Sequence, residues 1–90
     1  MKLRSPTRVD IPLYLFPNPT PGKFTLTVET PEGISSAEVL IYNMRGERLQ
    51  KDVLQEGHAG EYTIEEAQAG IYLVRIVAGD RSAIIKVVKK

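Results

Sequence analysis

From Lys23 to Glu29 the chain alternates without a break, with Phe24, Leu26 and Val28 on one side and Lys23, Thr25, Thr27 and Glu29 on the other. Successive side chains of an extended backbone point to opposite faces, so this pattern predicts a half-buried strand. Other segments repeat it less cleanly. Leu13 to Phe16 is a short apolar run stopped by Pro17, which cannot donate to a ladder, and reads as an edge strand. In Ala37 to Tyr42, Val39 and Ile41 face away from Leu40 and Tyr42, and Arg48 to Leu54 returns as the partner strand. Glu61 to Glu65 places Tyr62 and Ile64 inward. The stretch between Gly70 and Gly79 is β-branched, aromatic or aliphatic almost throughout, which predicts a buried central strand. Tyr72, Val74 and Ile76 share its core face; Ile71, Leu73, Arg75 and Val77 share the other. Ser82 to Val88 closes the pattern with Ala83, Ile85 and Val87 on one face and Lys86 opposite.

Turn chemistry separates these strands. Pro17-Asn18-Pro19-Thr20-Pro21-Gly22 stiffens the backbone and fixes the first hairpin. Asn43 to Glu47 reads as a hairpin turn with a bulge, and Thr30 to Ser36, Gln55 to Gly60, Glu66 to Gly70 and Ala78 to Arg81 are the remaining connections. Seven short strands without a long helical period predict an all-β antiparallel sandwich of two sheets. Its core is expected to hold Phe24, Leu26, Val28, Val39, Ile41, Tyr62, Ile64, Tyr72, Val74, Ile76, Ile85 and Val87. Met1 to Pro12 mixes charge and proline and is expected to be a linker or lead-in, leaving 13–90 as the folded domain.

Composition removes several function classes. Twelve basic residues against eleven acidic ones give a net charge of +1, without the basic excess that neutralises a row of phosphates, so no nucleic-acid partner is expected. The chain has no cysteine, so stability rests on apolar packing, and thiolate zinc sites are excluded. His58 is the single histidine, and with Glu56 and Glu61 it makes an incomplete ligand set; Asp10, Asn18, Asp52 and Asp80 are scattered rather than loop-spaced for calcium. No metal and no cofactor is expected. Neither a nucleophile–histidine pairing at motif spacing nor a phosphate-cradling glycine loop is present, so the chain reads as non-enzymatic, with no small-molecule substrate. No run reaches the ~20 apolar residues of a membrane-spanning helix, and Met1 to Pro12 lacks the apolar region of a signal peptide.

Four motifs taken together, in this order and spacing, carry a resemblance. They are Tyr14-Leu15-Phe16-Pro17-Asn18-Pro19-Thr20-Pro21-Gly22-Lys23-Phe24, Val39-Leu40-Ile41-Tyr42-Asn43-Met44-Arg45-Gly46-Glu47, Gly70-Ile71-Tyr72-Leu73-Val74-Arg75-Ile76 and Lys86-Val87-Val88-Lys89. Over roughly 13 to 90 the chain resembles the type A C-terminal sorting domain of the type IX secretion system. The resemblance implies an immunoglobulin-like sandwich that ends proteins exported across the outer membrane of Bacteroidota. It implies a fused N-terminal cargo that passes through the periplasm, recognition of this domain by outer-membrane secretion machinery, and secretion or attachment at the cell surface. It further implies a sortase-like processing protease that cuts upstream of the domain. Phe16 stands where many members carry tyrosine.

The motif residues Pro17, Asn18, Pro19, Gly22, Asn43, Gly46, Gly70, Lys86, Val87, Val88, Lys89 and Lys90 are therefore candidates for contact with that machinery. Each also has a structural role open to it. The proline run is a rigid turn, Gly46 and Gly70 are positions for positive φ or close packing, and Tyr72 suits a corner whose hydroxyl bonds a nearby loop. The closing lysines either protect a strand edge or, with that edge unpaired, present charge and a backbone ladder to a receptor. A second function, an immunoglobulin- or fibronectin-like accessory or carbohydrate-binding module of a secreted enzyme, would need exposed aromatics. Alternation sends most of Tyr14, Phe16, Phe24, Tyr42, Tyr62 and Tyr72 inward.

Overall fold

The computed structural model describes residues 11–30, 32–64 and 68–90. Seven strands form: β1 (Leu13–Phe16), β2 (Lys23–Val28), β3 (Ser36–Tyr42), β4 (Arg48–Gln55), β5 (Ala59–Thr63), β6 (Gly70–Ala78) and β7 (Arg81–Lys89). All pairings are antiparallel, in a three-stranded sheet ordered β1-β2-β5 and a four-stranded sheet ordered β4-β3-β6-β7. Two antiparallel sheets with the strand predicted as central, β6, between β3 and β7 match an immunoglobulin-like sandwich.

The alternation decides which side of each strand is buried. Phe24, Leu26 and Val28 from β2 meet Val39 and Ile41 from β3 and Tyr72, Val74 and Ile76 from β6, all buried, with Tyr62, Ile64 and Val87 closing the periphery. The rings of Phe24 and Tyr62 lie 5.9 Å apart between centroids, in the tilted arrangement that aromatic pairs favour. Each large apolar side chain so buried stabilises the fold by about 1.5 to 3 kcal/mol over exposure.

Three expectations are corrected. Ile11, assigned to the lead-in, is 0% exposed and belongs to the core, and the Pro12 carbonyl accepts the Glu29 N–H at 2.9 Å. The packed core therefore takes in Ile11, two residues before β1; Met1 to Asp10 lies outside the described residues. Ile85 is half-buried, because β7 is the last strand of its sheet and its flank has no neighbouring strand to cover it. The fifth strand starts at Ala59 rather than Glu61, so Ile64 is buried just beyond its end. Leu40 is buried although it points to the outer face, flanked there by Lys51 and Arg75 in register, whose long stems cover apolar surface.

Candidate functional site

The proline-rich connection does more than fix the first hairpin. Leaving β1 at Phe16, it crosses to the other sheet and runs along the outer edge of β7. Asn18 donates from Nδ2 to the Lys86 carbonyl at 2.8 Å and accepts the Val88 N–H on Oδ1 at 2.9 Å. Thr20 then continues as a backbone ladder, donating its N–H to the Val88 carbonyl at 2.8 Å and accepting the Lys90 N–H at 2.9 Å. This makes a parallel bridge between Thr20 and Lys89. We call residues 17–22 the strap. The expectation of an unpaired edge at Lys86 to Lys90 is thus overturned. The outward-pointing groups of β7 that no strand or strap pairs, among the described residues, are those of Ser82 and Ile84 and the N–H of Lys86.

The strap is held from below by Thr20, a fully buried polar side chain. Its hydroxyl donates to the Lys23 carbonyl at 2.7 Å and accepts the Gly22 N–H at 3.0 Å, so both functions of the group are satisfied. Gly22 takes φ of +145°, which lets its carbonyl turn back to accept the Ile64 N–H.

The Asn43 turn sits at the same end of the sandwich. Asn43 Oδ1 accepts the N–H groups of Arg45 and Glu47 at 2.9 and 3.0 Å, its Nδ2 donates to the Glu47 carboxylate at 2.7 Å, and its own N–H donates to the Glu47 carbonyl. One side chain thus does the work of a turn ladder. The predicted bulge is present: Ile41 pairs with Gln50 and Tyr42 with Arg48, which leaves Leu49 as the extra residue. Gly46 and Gly70 both have positive φ, at +88° and +152°, with open space where a Cβ would stand, so positive φ rather than close packing explains them.

Register brings the four motifs together. Tyr42 is opposite Leu73, and Gly70 is opposite Lys89, the residue bridged by Thr20. The strap, the Asn43 turn, the start of β6 and the end of β7 therefore share one end. Tyr72 fills the corner role: its ring is buried and its hydroxyl donates to the Gln68 carbonyl, four residues upstream, at 2.5 Å. Val87 points into the core at 0% exposure and cannot meet a partner directly, whereas Lys86, Val88 and Lys90 are exposed.

Sequence reasoning missed the most exposed large apolar side chain at this end. Met44 is 64% exposed and, with Leu49 and Ile71, borders an open cleft of about 520 Å³ between the Asn43 turn and the Gln68 to Tyr72 segment. A single methionine in a turn carries no periodic signal, and Leu49 reads as strand interior until the bulge is seen. Elsewhere, Tyr14 and Phe16 point outward from β1, Tyr42 is half-buried, and only Phe24, Tyr62 and Tyr72 are fully inside. His58 is exposed in its loop, and among the described residues no group of three or more histidine, cysteine or acidic side chains could hold a metal. None of the helix-length apolar segments needed to cross a membrane occurs among the described residues.

The family model described as the secretion system C-terminal sorting domain matches residues 14–90, which is most of the chain. No curated protein matches it.

Proposed function

We propose, from the premise that the chain belongs to the type IX secretion C-terminal sorting domains, that its export signal is the strap end as a single built surface. The sorting domain implies secretion machinery as partner, a fused cargo, and delivery to the cell surface or outside. One observation carries the finer reading: the four sequence motifs, separated by up to 70 residues, converge on one end through Asn18, Thr20 and the β6–β7 register. Candidates Pro17, Asn18, Pro19 and Gly22 form the strap, Asn43 and Gly46 the neighbouring turn, and Gly70, Lys86, Val88, Lys89 and Lys90 the strand ends between them. Val87 serves from the core.

The chain enters at the opposite end, because β1 runs from Ile11 toward the strap. Cargo and signal thus point in opposite directions. On this reading the cargo reaches the periplasm first and the strap end is presented to the outer-membrane machinery. A sortase-like protease then cuts upstream of Ile11, and the cargo is attached at the surface.

The test is a periplasm-directed reporter carrying this chain at its C-terminus, in a host with the type IX machinery. The parent is exported. Replacing Lys86, Lys89 and Lys90 together by alanine leaves melting unchanged, since exposed substitutions move stability by less than about 0.5 kcal/mol, and holds the reporter in the periplasm. Export of the triple variant at the parent's level, with its fold intact, refutes the strap end as the signal.

A further inference from the structure

A net charge of +1 conceals a polarised molecule. Placing each charge by strand register puts Lys23, Arg45, Arg48, Lys86, Lys89 and Lys90 at the strap end, against Glu47 and Glu61 among the described residues. Among the described residues the entry end carries Glu29, Glu32, Glu56 and Asp80 against Arg81. Among the described residues the ion pair is Lys51 with Glu38 at 3.7 Å, which lies mid-sheet, so none of the six strap-end cations has an ionic partner there.

Exposed apolar side chains also stand at this end, while Tyr14, Val53 and Ile84 are exposed singly elsewhere. Met44, Leu49 and Ile71 are 64%, 42% and 39% exposed around the cleft, and Val88 lies directly opposite Ile71 in the ladder. A cluster of exposed aliphatic groups beside unpaired cations is costly to leave in water and marks an interaction surface. Methionine, flexible and polarisable, adapts to the side chain it receives. Arg45 also lines the cleft, which places a guanidinium beside the apolar opening.

We infer that the cleft bordered by Met44, Leu49 and Ile71 receives an apolar side chain from an acidic segment of the export machinery, whose carboxylates pair with Arg45, Arg48 and the closing lysines. This rests on the reading that the machinery engages the strap end, and adds the chemistry of what engages it. The apolar anchor supplies affinity, and the carboxylates orient the approach and quicken it.

The full chain, fused to the same reporter, tests this with three variants. Met44→Glu places a charge at the cleft mouth, Arg45→Glu with Arg48→Glu reverses two strap-end cations, and Arg81→Glu makes the same kind of reversal at the entry end. Met44, Arg45, Arg48 and Arg81 are all exposed, and thermal melts should match the parent. The expected result is at least a tenfold loss of exported reporter for the first two and none for Arg81→Glu. Parent-level export of both strap-end variants overturns the cleft and its acidic partner, and leaves the sorting reading standing if deletion of residues 11–90 still retains the reporter. Export that survives that deletion sinks the sorting reading itself. Flotation of the purified chain with phosphatidylglycerol vesicles supplies the other arm. Salt-sensitive binding that Arg45→Glu with Arg48→Glu abolishes and Met44→Glu leaves intact makes a lipid surface the occupant, and refutes the protein partner.

Discussion

The sandwich has two open sides, and the chain closes them with different chemistry. Beside β7 the closure is a run of backbone and amide hydrogen bonds from the strap, anchored by a hydroxyl that is fully buried. Between β4 and β5 it is made through side chains that reach across. Tyr62 donates its hydroxyl to Asp52 at 2.8 Å, and Gln50 donates Nε2 to the Thr63 carbonyl at 2.6 Å. Asp52 is exposed, so water replaces a lost partner there at little cost, whereas nothing replaces Thr20. The side that carries the sorting motifs is thus the side built to hold its shape.

Three substitutions test that contrast. Thr20→Val keeps the shape but leaves the Gly22 N–H and the Lys23 carbonyl without their partner. The Gly22 N–H becomes a buried orphan, which costs about 1 to 3 kcal/mol, and the part-buried Lys23 carbonyl adds less, so a loss of roughly 2 to 4 kcal/mol is expected in urea unfolding. A loss under 1 kcal/mol would remove the anchor from the account. Asn18→Ala deletes two exposed hydrogen bonds and should cost about 1 to 2 kcal/mol. Its sharper signature is faster amide exchange at Val88, while Val74 in the middle of β6 stays protected; unchanged exchange at Val88 would show that Asn18 does not hold the edge.

Tyr62→Phe should be the mildest at neutral pH, below about 1 kcal/mol, because its partner faces solvent. Alkali separates it from the parent. Burial first, and then the hydrogen bond and charge of Asp52, push the Tyr62 hydroxyl above its ordinary value of 10.0. The folded state therefore holds this proton more tightly than the unfolded chain does. The stability it contributes is complete below about pH 10 and declines as pH rises past that value. Melts from pH 8 to 11 should show the parent losing stability more steeply than Tyr62→Phe above pH 10, and parallel curves would remove Tyr62 from the linkage.

The strands were legible wherever one face had to be dry and the other wet. β2 and β3 follow from alternation within a residue of their ends, and β1 and the central position of β6 follow from short apolar runs bounded by proline or glycine. Ile11 was not legible, because one apolar residue before a proline has no period to reveal its burial. Ala59 and Gly60 carry no strand preference of their own and extend β5 through pairing with β2, a contact across more than thirty residues. The same reason hides the candidate site. Each motif announces its local turn, but only the assembled sheets show that Asn18 reaches Val88 and that Met44 stands beside Ile71.

The direction of β1 has a mechanical consequence. It lies antiparallel to β2 with Leu13 opposite Val28 and Phe16 opposite Thr25, and the strap that follows it is fastened to the end of β7. A tension drawn between the upstream chain and a grip on the strap end runs parallel to the strands. It loads the four β1–β2 pairs in shear, all at once, rather than peeling them in turn. A domain gripped at that end while a folded load trails from the other is pulled along its most resistant axis, and resists for as long as the slowest of those pairs holds.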